Sequence, residues 1–176
     1  QVLWEENSQA QRSIASITKV MTALVFLEGE PDLDARIRVE RPDPFQASTT
    51  RLITGDVVTV DDLLHLLLIA SDNAAARVLA RVSRYASEGF IQRMNEKANE
   101  LGLASTRYAD PSGLLAENVS SAYDMARLIS LASTDQRIGS IMRLPEYSFF
   151  TAKRRLVAFR DRKSTCLNSS HVSESR

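Results

Sequence analysis

Cysteine is almost missing from this chain. Cys166 is the only one in 176 residues, which excludes an internal disulfide framework and any C-x-x-C metal or redox motif. Histidine is nearly as scarce. His65 and His171 cannot build a zinc site on their own, and nothing in the sequence calls for a metal or cofactor. Neither sign of charge dominates: 22 basic residues face 22 acidic ones, leaving no net field to draw in nucleic acid or an anionic membrane surface. Long apolar runs are absent too. A bilayer-spanning helix needs about 18 or more apolar residues, and Ala23–Leu27 falls far short. The chain opens at Gln1 without an initiator Met or a signal-peptide pattern, as a mature chain or a fragment would. What remains, 44% hydrophobic and 25% charged residues, is the composition of an ordinary globular domain.

The last stretch is set apart. Residues 161–176, DRKSTCLNSSHVSESR, have neither helical nor strand periodicity. One reading is a disordered polar tail. The reading adopted is sharper: 161–171 resembles the translation of a common sequencing-adapter sequence with one substitution, at Cys166. The domain is therefore expected over 1–160, followed by a non-native tail that packs against nothing.

Within 1–160, Val2-Leu3-Trp4 looks like a strand, with Trp4 in the core. Ile14 to Leu27 reads as a helix apolar nearly all round, hence buried, stopped by Gly29 and Pro31. Short strands are expected at Ile37–Val39 and Val57–Val60, around a Gly55-Asp56 turn. Thr59 with Asp62 has the form of a capping box opening a helix over 63–69. Ser71-Asp72-Asn73 interrupts it, and helix resumes over 74–82. Phe90, Ile91, Met94, Ala98 and Leu101 mark an amphipathic helix closed by Gly102. Asp110-Pro111-Ser112-Gly113 is a turn. Ser121 and Thr134 are expected to cap two further helices, and 147–151 and 156–159 to be strands joined through Lys153-Arg154-Arg155. A helical block flanked by strands from both ends makes a mixed α/β domain.

Two motifs carry chemistry. Ser16-Ile17-Thr18-Lys19 is the only S-x-x-K in the chain. Three apart on a helix, Ser16 and Lys19 share a face, and Ser16 lies near the helix start, where developing negative charge is favoured. A Lys on an otherwise apolar helix loses ammonium character through burial, and a neutral amine beside a Ser is an activation pair. The competing reading makes Ser16 an N-terminal cap and lets Lys19 snorkel to water. The second motif, Ser71-Asp72-Asn73, either projects Ser71 and Asn73 into a cleft or simply caps the following helix. His65 reads as a packed helix residue, Asp110 and Ser112 as turn residues, and Lys153-Arg154-Arg155 as a solvated hairpin.

Taken together, these segments resemble the serine-type D-alanyl-D-alanine carboxypeptidases, low-molecular-mass penicillin-binding proteins whose superfamily carries S-x-x-K, S-x-N and K-T-G in turn. The resemblance extends over 14–22, 69–75, Met94-Asn95, Leu101-Gly102-Leu103 and 110–114. It implies a β-lactamase/transpeptidase-like fold, a helical block packed against an antiparallel sheet that is incomplete here. It further implies Ser16 as nucleophile, Lys19 as its base, Ser71 as the group that returns a proton to the leaving nitrogen, and Asn73 as a substrate-amide holder. The implied partners are the peptidoglycan stem peptide, with β-lactams as inhibitors. The implied location is extracytoplasmic, and membrane association would come only through segments absent from this chain.

The chain departs from the family at the third motif. No K-T-G or K-S-G occurs; Lys153-Arg154-Arg155 lacks both hydroxyl and Gly, and Lys163-Ser164-Thr165 lacks the Gly. The expectation is a partial catalytic domain with impaired turnover. A class A-like β-lactamase shares the first two motifs, but no E-x-x-L-N segment follows Asn73 to activate a deacylating water. A non-catalytic cell-wall-binding fragment is the third reading.

Overall fold

The computed structural model describes residues 6–161. Strand β1 (Arg12–Ser13) leads through a 3₁₀ turn (Ala15–Ile17) into α1 (Thr18–Leu27). The predicted helix from Ile14 is thus two elements, and Ser16 lies in the tighter one. The expected strand at Val2-Leu3-Trp4 and the placement of Trp4 fall outside the described residues.

Helix α1 is the centre of the molecule. Met21, Ala23 and Val25 are fully buried, with Phe26 and Leu27 nearly so. It packs against α2 (Val60–Leu68), α3 (Asn73–Val82), α4 (Ala86–Glu100) and α5 (Ala122–Thr134). Partners on several sides explain why its sequence shows no polar face. The core continues through Leu63, Leu66, Leu79, Phe90, Met94 and Leu128.

Local chemistry sets the helix boundaries. Thr59 Oγ1 accepts from the Asp62 N–H at 3.0 Å while the Asp62 carboxylate accepts from the Thr59 N–H at 3.0 Å. This completes the capping box and starts α2 at Val60, a residue the sequence placed in a strand. Gly102, at φ +65°, ends α4 in the left-handed conformation a helix stop requires. Ser121 caps α5 by accepting from the Asp124 N–H at 3.1 Å. Helix α6 (Gln136–Met142) is capped by Asp135, which takes the N–H groups of Arg137 and Ile138. Thr134, the expected cap, instead donates back to Leu131 O as the last residue of α5; a carboxylate one position later is the stronger acceptor for two free N–H groups.

The strands form three separate antiparallel pairs among the described residues: β1 with β4 (Val119–Ser120), β2 (Arg36–Arg38) with β3 (Val57–Thr59), and β5 (Glu146–Phe150) with β6 (Leu156–Arg160). The β5–β6 hairpin turns Tyr147, Phe149, Val157 and Phe159 inward. It is tied to α2 where Tyr147 stacks on His65, ring centroids 3.8 Å apart, and where the Tyr147 hydroxyl donates to Asp62 at 3.2 Å. His65 is therefore the packed helix residue expected. The hairpin tip departs from expectation at Arg155, whose guanidinium pairs with Asp56 and with Arg51 O, whereas Lys153 and Arg154 are exposed.

Candidate active site

Ser16 and Lys19 are brought together. Lys19 Nζ donates to Ser16 Oγ at 3.1 Å and to the Ser112 carbonyl at 2.6 Å. Lys19 is 2% exposed whereas Ser16 is exposed, so the amine does not snorkel to water; it sits below the hydroxyl. Nor does Ser16 cap α1, which begins at Thr18 with no side-chain cap. Burial pushes the Lys19 ammonium down to about 8, against the opposing fields of Asp110 and Asp72. At pH 7 roughly a tenth of the amine is then neutral and able to accept a proton.

Ala15, immediately before Ser16, is held at φ +44°. A non-glycine residue there is strained, and the turn Asp110–Gly113 presses on it. A Cβ built on Gly113 would lie 1.9 Å from Ala15 O, so only glycine permits this approach. The same turn is pinned to α1 by Thr22 Oγ1, which donates to Pro111 O at 2.7 Å.

The second motif closes the other side of the same cleft. Ser71 adopts φ +55°, and its hydroxyl is buried with no hydrogen-bond partner among the described residues. Asp72 is the helix cap: its carboxylate accepts from the Ala75 N–H at 3.0 Å and from the Arg51 N–H at 2.6 Å. With capping done by Asp72, Ser71 and Asn73 are left for other work. Asn73 donates its amide to Ala47 O at 2.7 Å and to Ser48 Oγ at 3.3 Å, while its carbonyl Oδ1 is buried and unpartnered among the described residues.

Ser16, Lys19, Ser71 and Asn73 all line one cleft of about 380 Å³, whose apolar wall includes Val20, Leu68 and Ile129. Asp161 lines it as well and donates its N–H to Pro145 O at 2.8 Å, extending the hairpin by one residue. It was assigned by sequence to a tail without contacts; 162–176 lie outside the described residues. The sequence places 110–113 in a turn and in a segment of the family resemblance, but not against Lys19 or Ala15. The usable signal was a Gly at a turn's end together with an Asp able to order it.

A hydroxyl at hydrogen-bond distance from a buried amine, in a partly apolar cleft that a second hydroxyl also lines, is an arrangement chemically able to support serine acyl transfer. The fold agrees. The chain superposes on the Streptomyces K15 DD-transpeptidase with a TM-score of 0.81 at 27% identity, covering 90% of this chain and 68% of that one. Against the D-alanyl-D-alanine carboxypeptidase of Mycobacterium tuberculosis H37Rv the TM-score is 0.84 at 26% identity, covering 97% and 65%. Residues 1–173 match the family described as D-alanyl-D-alanine carboxypeptidase, and the chain belongs to it. It is 40% identical over 129 residues to the D-alanyl-D-alanine endopeptidase of Haemophilus influenzae, covering 72% of this chain and 44% of that protein. Identity to the D-alanyl-D-alanine carboxypeptidase DacF of Bacillus subtilis is 37% over 131 residues, covering 71% and 34%. The chain spans less than half the length of the curated endopeptidases it matches.

Proposed function

We propose that this chain carries the nucleophile-bearing part of a serine DD-peptidase that removes the terminal D-alanine from peptidoglycan stem peptides. The observation that carries the reading is Lys19 Nζ, 3.1 Å from Ser16 Oγ and shifted by burial to about 8.

Ser16 Oγ attacks the carbonyl carbon of the penultimate residue and passes its proton to the neutral Lys19 amine. As the tetrahedral centre collapses, the C–N bond breaks. Ser71, whose hydroxyl has no competing partner among the described residues, relays the proton now on Lys19 to the departing D-alanine nitrogen, which returns the amine to its neutral form. Asn73 Oδ1, equally unpartnered, accepts the substrate amide N–H. Water then hydrolyses the ester on Ser16. β-Lactams offer the same carbonyl chemistry and acylate the same oxygen. The substrate places the work outside the cytoplasmic membrane, in the periplasm or at the cell-wall face. No helix among the described residues is long and apolar enough to cross a membrane, and the reading assigns any membrane association to segments other than these.

The test uses residues 1–176 joined to a K-T-G-bearing segment supplied by a family relative, since no K-T-G occurs in the sequence. D-Alanine release from a stem pentapeptide, and cleavage of a cross-linked dimer, should both be assayed because relatives carry both activities in their names. We expect one of the two substrates to be cut, no cleavage by Ser16→Ala, and a rate that rises with pH to an inflection near 8 as Lys19 loses its proton. Cleavage that survives Ser16→Ala, or no cleavage of either substrate by the folded protein, would reject the reading.

A further inference from the structure

The Asp110 carboxylate gathers five donors. Oδ1 takes the Gly113 N–H at 2.9 Å and the Asn118 side-chain amide; Oδ2 takes the Ser112 hydroxyl, the Ser112 N–H at 3.3 Å and the Leu114 N–H at 3.3 Å. Burial alone would raise this carboxyl, but hydrogen bonds from Ser112, Asn118, Gly113 and Leu114 outweigh it and hold the group below the usual carboxylate range. Asp110 is therefore a charged, partly buried carboxylate two residues from the carbonyl that grips Lys19.

We propose that Asp110 is a positioning residue for Lys19: it folds the turn so that Ser112 presents its carbonyl to Nζ, and its carboxylate supplies the negative charge that offsets an ammonium at that place. The proposal rests on the reading of Lys19 as the base for Ser16. Lys19 becomes charged in that step, in a setting where burial opposes charge. Two carboxylates counter that opposition, Asp110 more strongly than Asp72. Asp72 is committed to capping α3 and holding Arg51. Asp161 is the one acid among the residues that line the cleft itself. A counter-charge does not touch the substrate, yet it restores some of the basicity that burial removes, so that the amine can take the Ser16 proton.

With the turn folded and the Ser112 carbonyl still on Nζ, a residue without a charge role would leave the Lys19 titration alone, so titration of folded protein is the discriminating measurement. Asp110→Asn removes the charge at nearly constant size. In folded protein we expect the Lys19 midpoint, followed by ¹³C-labelled Lys NMR, to fall by about one pH unit below its value near 8. Asp110→Glu, which keeps the charge, should bring it back toward 8. If Asp110→Asn does not fold, the unsubstituted protein answers instead. Charge coupling is mutual, so the Asp110 carboxyl signal should show an inflection near pH 8 that vanishes in Lys19→Met. An unmoved Lys19 midpoint in folded Asp110→Asn overturns the proposal, as does an Asp110 signal flat through pH 8. Both titrations need no substrate, so they fail separately from the assignment of DD-peptidase activity.

Discussion

Gly113→Ala is expected to cost about 3 kcal/mol or more of stability and to eliminate acylation of Ser16. Two effects add. Gly113 sits at φ +81°, where an L side chain costs roughly 1 kcal/mol. The new methyl would also lie 1.9 Å from Ala15 O and 2.4 Å from Ala15 C. Both are backbone atoms, so no side chain can rotate away, and overpacking of this kind typically costs about 1–3 kcal/mol. Relief requires moving either the Asp110–Gly113 turn, and with it the carbonyl holding Lys19, or Ala15, and with it the nucleophile. Urea denaturation gives the stability, and labelling by a fluorescent penicillin gives the site. Gly89→Ala is the matched control: it lies in α4, its nearest neighbour would be Tyr85 Cβ at 3.6 Å, and helix propensity predicts a gain of about 1 kcal/mol. Wild-type stability and labelling in Gly113→Ala would show that the contact is not limiting.

Lys19→Met is expected to move activity and stability in opposite directions. Removal of the base should lower acylation about 10²–10⁴-fold. Stability should rise near neutral pH, because the native site holds Lys19 at about 8 against 10.5 when solvated. At about 1.4 kcal/mol per pH unit that displacement is a penalty of roughly 3 kcal/mol. Part of the gain is returned: the Ser112 carbonyl loses its 2.6 Å donor, and a buried orphan carbonyl costs about 1–3 kcal/mol. The net expectation is a stabilisation of about 1 kcal/mol at pH 7. The sign of its pH dependence is fixed. A Lys depressed on folding binds fewer protons in the native state between pH 8 and 10.5, so the unsubstituted protein gains stability across that window and the advantage of Lys19→Met shrinks there. Melting temperatures at pH 7 and pH 10 check both points. An advantage that grows with pH would contradict the burial of Lys19.

Legibility in the sequence followed how local each signal was. The capping box at Thr59 and Asp62, the stop at Gly102 and the strand runs of the last hairpin depend on near neighbours in the chain, and each appears where its residues place it. The Ser16–Lys19 contact was legible for the same reason: residues three apart near a helix start meet on one face. What escaped depends on long-range packing. Nothing local shows that Ser112 O reaches Lys19 or that Gly113 abuts Ala15, and the Asp110-Pro111-Ser112-Gly113 string reads equally well as an idle turn. The cap of α6 was missed because Thr134 and Asp135 are both good caps and only the end of α5 decides between them. Ser71 and Asn73 could have been caps; the structure gives that task to Asp72 and leaves Ser71 Oγ and Asn73 Oδ1 unpartnered on the cleft.

The most direct test of the central claim is the location of the acyl group. The chain joined to a K-T-G-bearing segment from a family relative should be incubated with a labelled penicillin, digested, and mapped by tandem mass spectrometry. The account predicts a single long-lived adduct on Ser16, absent from Ser16→Ala and slow to form on Lys19→Met. An adduct on Ser71 or any other residue would contradict it, and so would a folded polypeptide that takes up no label. Rapid release of hydrolysed penicillin would point instead to a β-lactamase.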